Sequence, residues 1–280
     1  MAARPRTLPA AAVPVVLGAA LIRPATINWL NSALCLIVAL ALQIGTNYAN
    51  DYSDGVRGTD HDRVGPFRLT ASKLVAARVV RRAAWWSFAV ASVAGVWLSS
   101  RTSWWLILIG AAAVLAGWFY TGGPRPYGYY GFGELFVFVF FGLVATVGTA
   151  YVQHLTIPSR AWWLGAAAGF MACALLEANN LRDVVGDVAA GKLTLAARLG
   201  RARGAWLYLG CVVGTAVSAI VAGQLVVGAV AVAVYLPGLR VAFSKLSGRE
   251  LLVLLKYSAR AQLQLGALLA VLLALNSYWG

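Results

Sequence analysis

The stretch AWLYLGCVVGTAVSAIVAGQLVVGAVAVAVYLPGL, residues 205–239, decides the fold class because it is apolar almost without interruption. As one helix it would be about 50 Å long, whereas the hydrocarbon core of a bilayer is ~30 Å thick. Gly223 and Gln224 stand near its middle, so we predict two membrane helices joined by a tight hairpin there. The stretch therefore indicates a chain that crosses a membrane more than once.

The rest of the chain has the same character. It has 280 residues, is 61% hydrophobic and 11% charged, and its mean hydropathy of +0.75 excludes a water-soluble domain. We predict an all-α polytopic membrane protein whose nine transmembrane helices form one domain, residues 1–280, with a cytoplasmic cap of loops. The predicted helices are 8–22, 28–48, 83–99, 103–120, 132–153, 161–180, 205–222, 225–243 and 261–279. The predicted cytoplasmic loops are 49–82, 121–131, 181–204 and 244–260.

Basic residues set the predicted orientation, because Lys and Arg accumulate in cytoplasmic loops. With the N-terminus inside, 20 of the 23 basic residues fall on the cytoplasmic side, and Arg23, Arg101 and Arg160 face out. We expect a multi-pass protein of the cell membrane with its N-terminus and active-site loops in the cytoplasm. The net charge of +14 is dispersed over membrane-flanking loops, so lipid and an anionic substrate are expected partners and nucleic acid is not.

The acidic residues carry the main functional signal. Nine carboxylates occur in the chain, and seven of them fall in two short windows. The first window holds Asp51, Asp54, Asp60 and Asp62, and the second holds Glu177, Asp183 and Asp187.

Asparagines and aspartates recur in both windows at helical spacing. Asn47, Asn50 and Asp54 step by three and four residues, which places them on one face of a helix with Asp51 beside them. Asn180, Asp183 and Asp187 repeat this spacing. A carboxylate near a helix C-terminus is unfavourable by about 0.3 to 1 kcal/mol, so a cation is expected beside each cluster. Oxygen ligands of this kind suit Mg²⁺, which also keeps waters and substrate phosphate oxygens.

Basic residues follow each acidic window, and they can be interpreted in two ways. They could hold diphosphate oxygens, or they could simply mark the cytoplasmic side of the membrane. A third alternative is that the acids pair with Arg57, Arg63, Arg182 and Lys192 in solvated loops. The proposed diphosphate ligands are Arg57, Arg68, Lys73 and Lys192.

Two segments resemble the signatures of the UbiA superfamily of intramembrane prenyltransferases. They are NYANDYSDGVRGTDHDRVGPFR, residues 47–68, and NNLRDVVGDVAAGKLTLAARLG, residues 179–200. With the tract YTGGPRPYGYYGFGE, residues 120–134, they are most similar to the branch that prenylates 1,4-dihydroxy-2-naphthoate in menaquinone synthesis. One departure is Gly58, where the general motif has its last aspartate, so the role of Asp60 stays open.

The resemblance implies a magnesium-dependent prenyltransferase. It implies that Asn50, Asp54, Asp183 and Asp187 bind Mg²⁺, with two ions expected, and that Asp51 supports the site. The reaction it implies is transfer of a polyprenyl group from a polyprenyl diphosphate to 1,4-dihydroxy-2-naphthoate with decarboxylation.

The acceptor would be held at the cytoplasmic side, where the tract 120–134 could close over the site. Candidate acceptor contacts are Asn47, Tyr120, Arg125, Tyr127 and Glu177. Alternatively, the tract is an ordinary connecting loop with interfacial tyrosines. Glu134 lies at the start of the following helix, where a carboxylate is favourable because the N-terminal end of the helix dipole is positive.

Other functions remain open at this point. A related enzyme could use 4-hydroxybenzoate or homogentisate as acceptor. A CDP-alcohol phosphotransferase is faintly suggested by Asp54, Gly55 and Arg57, but it leaves the second cluster, about 130 residues later, unexplained. A cation transporter would place its acids near the middle of the membrane, whereas these gather at helix ends.

Overall fold

The computed structural model describes residues 4–59 and 68–279, and in these ranges the chain is helical with no strand. The predicted all-α class is therefore confirmed. A π-helical segment, Phe138–Val144, joins α5 to α6, so Gly133–His154 is one continuous apolar helix. The helices are α1 (Pro9–Ala20), α2 (Trp29–Arg57), α3 (Ala77–Arg101), α4 (Leu106–Phe119), α5 (Gly133–Val137), α6 (Ala145–His154), α7 (Ser159–Ala189), α8 (Leu195–Val221), α9 (Leu225–Ala242) and α10 (Leu252–Trp279).

Seven helices in the described residues are long and apolar enough to cross a membrane, by length and composition. They are α2, α3, the continuous segment Gly133–His154, α7, α8, α9 and the last helix. Two further apolar helices, α1 and α4, are shorter. Within residues 4–59 and 68–279, nine apolar helical segments thus stand where nine transmembrane helices were predicted, and seven of them reach spanning length.

The helices extend further than the sequence predicted. The loops expected to begin at residues 49 and 181 begin later, because α2 continues to Arg57 and α7 to Ala189. Gly58 ends α2 in the left-handed region, with φ of 77°, where glycine has no Cβ to clash. The loop expected over 244–260 is shorter, since a capping box between Ser247 and Glu250 starts the next helical segment. Asp51 and Asp54 therefore lie on α2, and Glu177, Asp183 and Asp187 lie on α7.

The predicted hairpin between the two helices of 205–239 is confirmed. Helix α8 ends at Val221 and α9 begins at Leu225. Gly223 takes a φ of 81°, and the Gln224 amide donates to the Ala219 carbonyl at 2.8 Å.

The bundle contains a cavity of about 290 Å³. Helices α2, α3, α4 and α7, together with α1 and the segment Gly133–His154, contribute its walls. The segment Gly133–His154 approaches α7 closely at Gly142, where a Cβ would stand 2.5 Å from the Gly169 Cα. This close contact fixes one wall of the cavity against α7.

Candidate active site

The cavity is apolar over most of its length and polar where α2 ends. Its apolar wall includes Leu98, Ile109 and Leu175. Its polar residues include Asn47, Asn50, Asp54, Arg68 and Lys192, together with Tyr120 and Tyr127. Such a shape suits a ligand with a charged head and a long hydrocarbon tail.

Asp54 is the acidic residue of this polar end, and its side chain is 1% exposed. The Tyr129 hydroxyl donates a hydrogen bond to its Oδ1 at 2.9 Å. Its Oδ2 lies 3.5 Å from Arg68 Nη2 and 3.7 Å from Lys192 Nζ. A buried carboxylate needs such partners, because removing an unpaired charge from water is costly.

Lys192 brings the two acidic windows together. Its Nζ lies 3.7 Å from Asp54 Oδ2 on α2 and 4.0 Å from Asp187 Oδ1 on α7. The ammonium also stands 5.4 Å from the centre of the Tyr129 ring. Helix α7 ends just before it, and the Lys192 amide donates to the Asp187 carbonyl at 2.7 Å. Two segments that are distant in sequence therefore share one cation at the mouth of the cavity.

The tract 120–134 packs over this end of the cavity. Thr121 donates from its hydroxyl to Asn50 Oδ1 at 2.8 Å, which ties the tract to α2. Arg57 donates to the carbonyl oxygens of Thr121 and Gly123. The Leu193 amide donates to the Tyr129 carbonyl at 3.1 Å, so the tract also joins the turn after α7. The structure places Arg57 as a support of this covering loop.

Burial favours the neutral phenol at three tyrosines of the tract, Tyr120, Tyr127 and Tyr129. Burial and the nearby Asp54 carboxylate raise the pKa of Tyr129 to about 12, so its phenol donates to Asp54. Burial likewise raises the pKa of Tyr120 and of Tyr127. Tyr127 stacks on Phe136 with the ring centres 3.9 Å apart, and its hydroxyl donates to the Ala116 carbonyl.

Asp51 holds a loop in place. Its two carboxylate oxygens accept hydrogen bonds from the backbone amides of Leu69 and Thr70, both at 2.9 Å. These amides directly follow Arg68, which is 7% exposed and contacts Asp54. Asp51 thus positions Arg68 at the polar end of the cavity.

We expect Asp51→Ala to lower kcat/KM for the diphosphate donor by about tenfold, because two partly buried amides lose their acceptor and Arg68 loses its anchor. Steady-state kinetics would measure the change, and limited proteolysis would show faster cleavage at 68–72. Asp51→Asn keeps one acceptor oxygen, so its kcat/KM should lie between that of the parent protein and that of Asp51→Ala. Full activity in Asp51→Ala would contradict the positioning role.

Asp183 forms a close ion pair with its neighbour. Arg182 donates from Nε to Asp183 Oδ1 at 2.8 Å and from Nη2 to Oδ2 at 2.7 Å. The side chains are buried, as are those of Asp54 and Asp187. Pairs between acidic and basic residues, which were one alternative interpretation of the sequence, are therefore present. They are buried in the protein and do not lie in solvated loops.

Several expected site residues lie away from the described lining of the cavity. Lys73 and Arg125 are exposed and do not line it. Glu177 is fully buried and faces α8, where a Cβ on Gly204 would stand 3.0 Å from its Oε1. Glu134 accepts a hydrogen bond from Asn180 Nδ2 at 2.8 Å, so it binds a neighbouring helix in addition to opening its own. Asp60, His61, Asp62 and Arg63 lie outside the described residues.

Other residues at the cavity were not singled out from the sequence. Tyr129 lies within the quoted tract, but its contact with Asp54 depends on how the tract folds. The aromatic wall of Phe136, Phe140 and Phe141 comes from an apolar helix that gives no local signal of function. Arg4, Thr7 and Gln43 line the cavity from the chain's start and from α2.

The donor atoms at the polar end suit a magnesium ion that is shared with a substrate. The structure brings no group of three or more His, Cys, Asp and Glu together across residues 4–59 and 68–279. Asp54 and Asp187 converge on Lys192, and Asn50, whose amide oxygen accepts from Thr121, lines the same cavity as Asp54 and Lys192. Mg²⁺ is commonly held by one or two carboxylates together with waters and substrate phosphates, so this incomplete donor set fits a magnesium diphosphate.

Known proteins share both the sequence and the fold. The model of the UbiA prenyltransferase family matches residues 11–253. The chain is 48% identical over 272 residues to the 1,4-dihydroxy-2-naphthoate octaprenyltransferase of Mycobacterium tuberculosis, covering 93% of this chain and 91% of that protein. The enzyme of the same name from Haemophilus influenzae is 35% identical, with 77% of each chain covered. The fold is similar to that of a UbiA homolog from Archaeoglobus fulgidus bound to GPP and Mg²⁺, with a TM-score of 0.67, 15% identity and 97% of each chain covered.

Proposed function

Because the chain belongs to the UbiA prenyltransferase family, we propose that it transfers a polyprenyl group from a polyprenyl diphosphate to 1,4-dihydroxy-2-naphthoate, with loss of carbon dioxide, in menaquinone synthesis. One observation carries the proposal: Lys192 joins Asp54 and Asp187 at the polar end of an otherwise apolar cavity. A transporter or a CDP-alcohol phosphotransferase is not favoured by family membership or by this arrangement. The whole chain, 1–280, acts as one catalytic domain in this proposal.

The polar end would bind the diphosphate. Asp54 and Asp187, with Asn50, are the proposed Mg²⁺ ligands, and Asp183 lies one helical turn before Asp187 on the same helix. Arg182 donates to both carboxylate oxygens of Asp183 and so fixes the position of this side chain on α7. When bound, Mg²⁺ offsets the charge that develops on the departing diphosphate. Two ions are proposed, as in the expectation from sequence.

Two cations of the cavity wall would bind the diphosphate oxygens directly. They are Arg68 and Lys192, which both contact Asp54 and are both largely buried. Arg57 contributes through the covering loop that it supports. The exposed position of Lys73 does not support its expected role as a diphosphate ligand.

The reaction breaks the bond between prenyl C1 and the diphosphate oxygen, and its electron pair leaves with the diphosphate. The ring carbon that carries the carboxylate then bonds to C1. The carbon–carboxylate bond breaks, its electrons return to the ring, and carbon dioxide leaves. Water would capture the allylic cation, so the apolar cavity protects it, and aromatic rings stabilise the positive charge. The rings available in the cavity are those of Tyr120, Tyr127, Phe136, Phe140 and Phe141.

The apolar part of the cavity would hold the prenyl tail. Burying each CH₂ contributes about 0.8 kcal/mol, so a long tail gains affinity as it extends along this wall. Asn47, Tyr120 and Tyr127 also line the cavity, which supports their expected contact with the acceptor. We propose that this end faces the cytoplasm in the cell membrane, as the distribution of basic residues predicts.

An acceptor panel tests the function directly. Purified protein in detergent would receive Mg²⁺, a polyprenyl diphosphate and 1,4-dihydroxy-2-naphthoate, 4-hydroxybenzoate or homogentisate. Mass spectrometry should find a prenylated, decarboxylated product with the naphthoate, together with an equal amount of carbon dioxide. A product from another acceptor alone would overturn the acceptor assignment. The absence of any prenylated product would overturn the enzyme assignment.

A further inference from the structure

We propose that Glu134 is a positioning residue, which turns the Asn180 amide so that its oxygen faces the polar end of the cavity and binds the Mg²⁺ of a magnesium diphosphate. The inference rests on the proposed prenyl transfer and adds a ligand from α7 to the diphosphate end of the same site. Neither residue is among the Mg²⁺ ligands that the resemblance implies.

The Asn180 side chain has one end held and the other end available. It is 7% exposed and lines the cavity. Its Nδ2 donates to Glu134 Oε1 at 2.8 Å. Within residues 4–59 and 68–279, its Oδ1 accepts no hydrogen bond. A buried amide oxygen of this kind can bind a metal ion or accept a hydrogen bond from a bound molecule.

Glu134 decides which end of the amide faces the cavity. The oxygen and NH₂ ends of a carboxamide have nearly the same shape, so packing alone does not select one orientation. A carboxylate oxygen accepts hydrogen bonds, so it attracts the NH₂ end. Asn180 lines the cavity, whereas Glu134 does not. The NH₂ end therefore points behind the cavity wall towards Glu134, and the oxygen end points away from Glu134 into the cavity.

Glu134 is itself held in place against α7. The Cys173 thiol of that helix donates to the Glu134 carbonyl oxygen at 3.2 Å. Gly133, the preceding residue, lies against Tyr120, because a Cβ on Gly133 would stand 3.2 Å from the ring carbon Cε2. The backbone around Glu134 therefore has contacts on two sides. These contacts allow its carboxylate to hold the neighbouring amide in one orientation.

The Asn180–Glu134 pair lies at the polar end of the cavity. Burial raises the pKa of Tyr120, and the nearby charges of Glu134, Asp187 and Asp54 raise it further. Three carboxylates are thus grouped around one phenol that lines the cavity. Asn180 is hydrogen-bonded to Glu134 and precedes Asp187 by seven residues, which places Asn180 and Asp187 on the same face of α7.

An amide oxygen adds to a donor set that the acids leave incomplete. In the ranges that the structure describes, no three His, Cys, Asp or Glu side chains are grouped to hold an ion. Mg²⁺ takes six oxygen ligands and obtains several of them from waters and substrate phosphates. The Asn50 oxygen accepts from Thr121, whereas the Asn180 oxygen is available. A neutral ligand also adds no negative charge beside the diphosphate.

Replacement of Glu134 tests the positioning role. Glu134→Gln keeps the shape, but its amide can donate to Asn180 Oδ1 as well as accept from Nδ2, so the orientation is no longer fixed. Mn²⁺ is the probe, and electron paramagnetic resonance would measure its binding to the protein with an unreactive polyprenyl diphosphate analogue. Glu134→Gln should weaken Mn²⁺ binding by about 10-fold, as expected for residues that orient metal ligands. Asn180→Ala should weaken it at least as much.

Two controls separate positioning from a general structural role. Asn31→Ala removes another buried asparagine, whose Nδ2 donates to the Val152 carbonyl at 2.7 Å and which does not line the cavity. That variant should bind Mn²⁺ as the parent protein does. In the Asn180→Ala background, Glu134→Gln should cause no further loss. A further loss of similar size in that background, or an equal loss in Asn31→Ala, would overturn the inference.

The measurement needs neither acceptor nor turnover, so it separates this inference from the proposed function. If the parent protein binds Mn²⁺ with the analogue and Glu134→Gln binds it equally well, the inference fails and the proposed function stands. If the parent protein binds no Mn²⁺ with the analogue, the proposed function fails and the inference fails with it. A selective loss of Mn²⁺ binding in Glu134→Gln would support the inference, whichever acceptor the panel identifies.

Discussion

Asp54→Asn is expected to lower kcat by on the order of 1,000-fold, because a metal-bound leaving group supplies several kcal/mol of transition-state stabilisation. The substitution removes the carboxylate charge but keeps an oxygen that can accept from Tyr129. The covering tract should therefore stay in place. The loss should appear in turnover and in the Mg²⁺ concentration that is needed for activity.

Single-turnover measurements with saturating donor would isolate this effect from substrate binding. Glu250→Gln is the matched control, since Glu250 belongs to the capping box that precedes α10 and lies away from the cavity. That variant should retain activity close to that of the parent protein. An Asp54→Asn variant with parental turnover would remove Asp54 from the metal site.

Lys192→Met is expected to lower kcat/KM for the diphosphate donor by about 100-fold. The side chain fills similar space, but the Asp54 and Asp187 carboxylates lose the cation between them, and the diphosphate loses a charge-assisted partner. Steady-state kinetics with varied donor would give the change, and the acceptor KM should move much less.

Lys73→Met provides the matched control, because it removes the same charge from an exposed lysine near the first acidic window. Its activity should stay within about twofold of the parent value, as for surface charges that are screened by solvent. Equal losses in the two variants would mean that the overall positive charge matters and that the position of Lys192 does not.

Much of the fold could be predicted from residue pattern alone. Apolar runs of about 20 residues gave the helices, and Gly223 with Gln224 gave the hairpin between α8 and α9. The ends of α2 and α7 were predicted too early, because polar residues there were interpreted as the start of loops. Their side chains are in fact buried against partners from other segments, such as the amides of Leu69 and Thr70, and these contacts are not visible in local sequence.

The candidate site could be predicted only in part, because its long-range contacts are likewise not visible in local sequence. Helical spacing predicted that Asn50 and Asp54 lie on one face, and the structure places both at the cavity. Spacing could not distinguish Lys192, which bridges the two windows, from the exposed Lys73. It also could not show that Glu177 faces α8, since one turn of helix decides between a cavity and a packed interface. Long-range contacts made these distinctions.

The central claim is that carboxylates from α2 and α7 act on one Mg²⁺-bound diphosphate. A double-mutant cycle tests it most directly, with Mg²⁺-dependent binding of a non-reactive polyprenyl diphosphate analogue measured for Asp54→Asn, Asp187→Asn and the double variant. The account predicts that the double variant binds the analogue only slightly more weakly than whichever single variant binds it less tightly. This corresponds to a coupling free energy of about 1 kcal/mol or more. Losses that add to within about 0.5 kcal/mol would show that the two residues act independently and would contradict it.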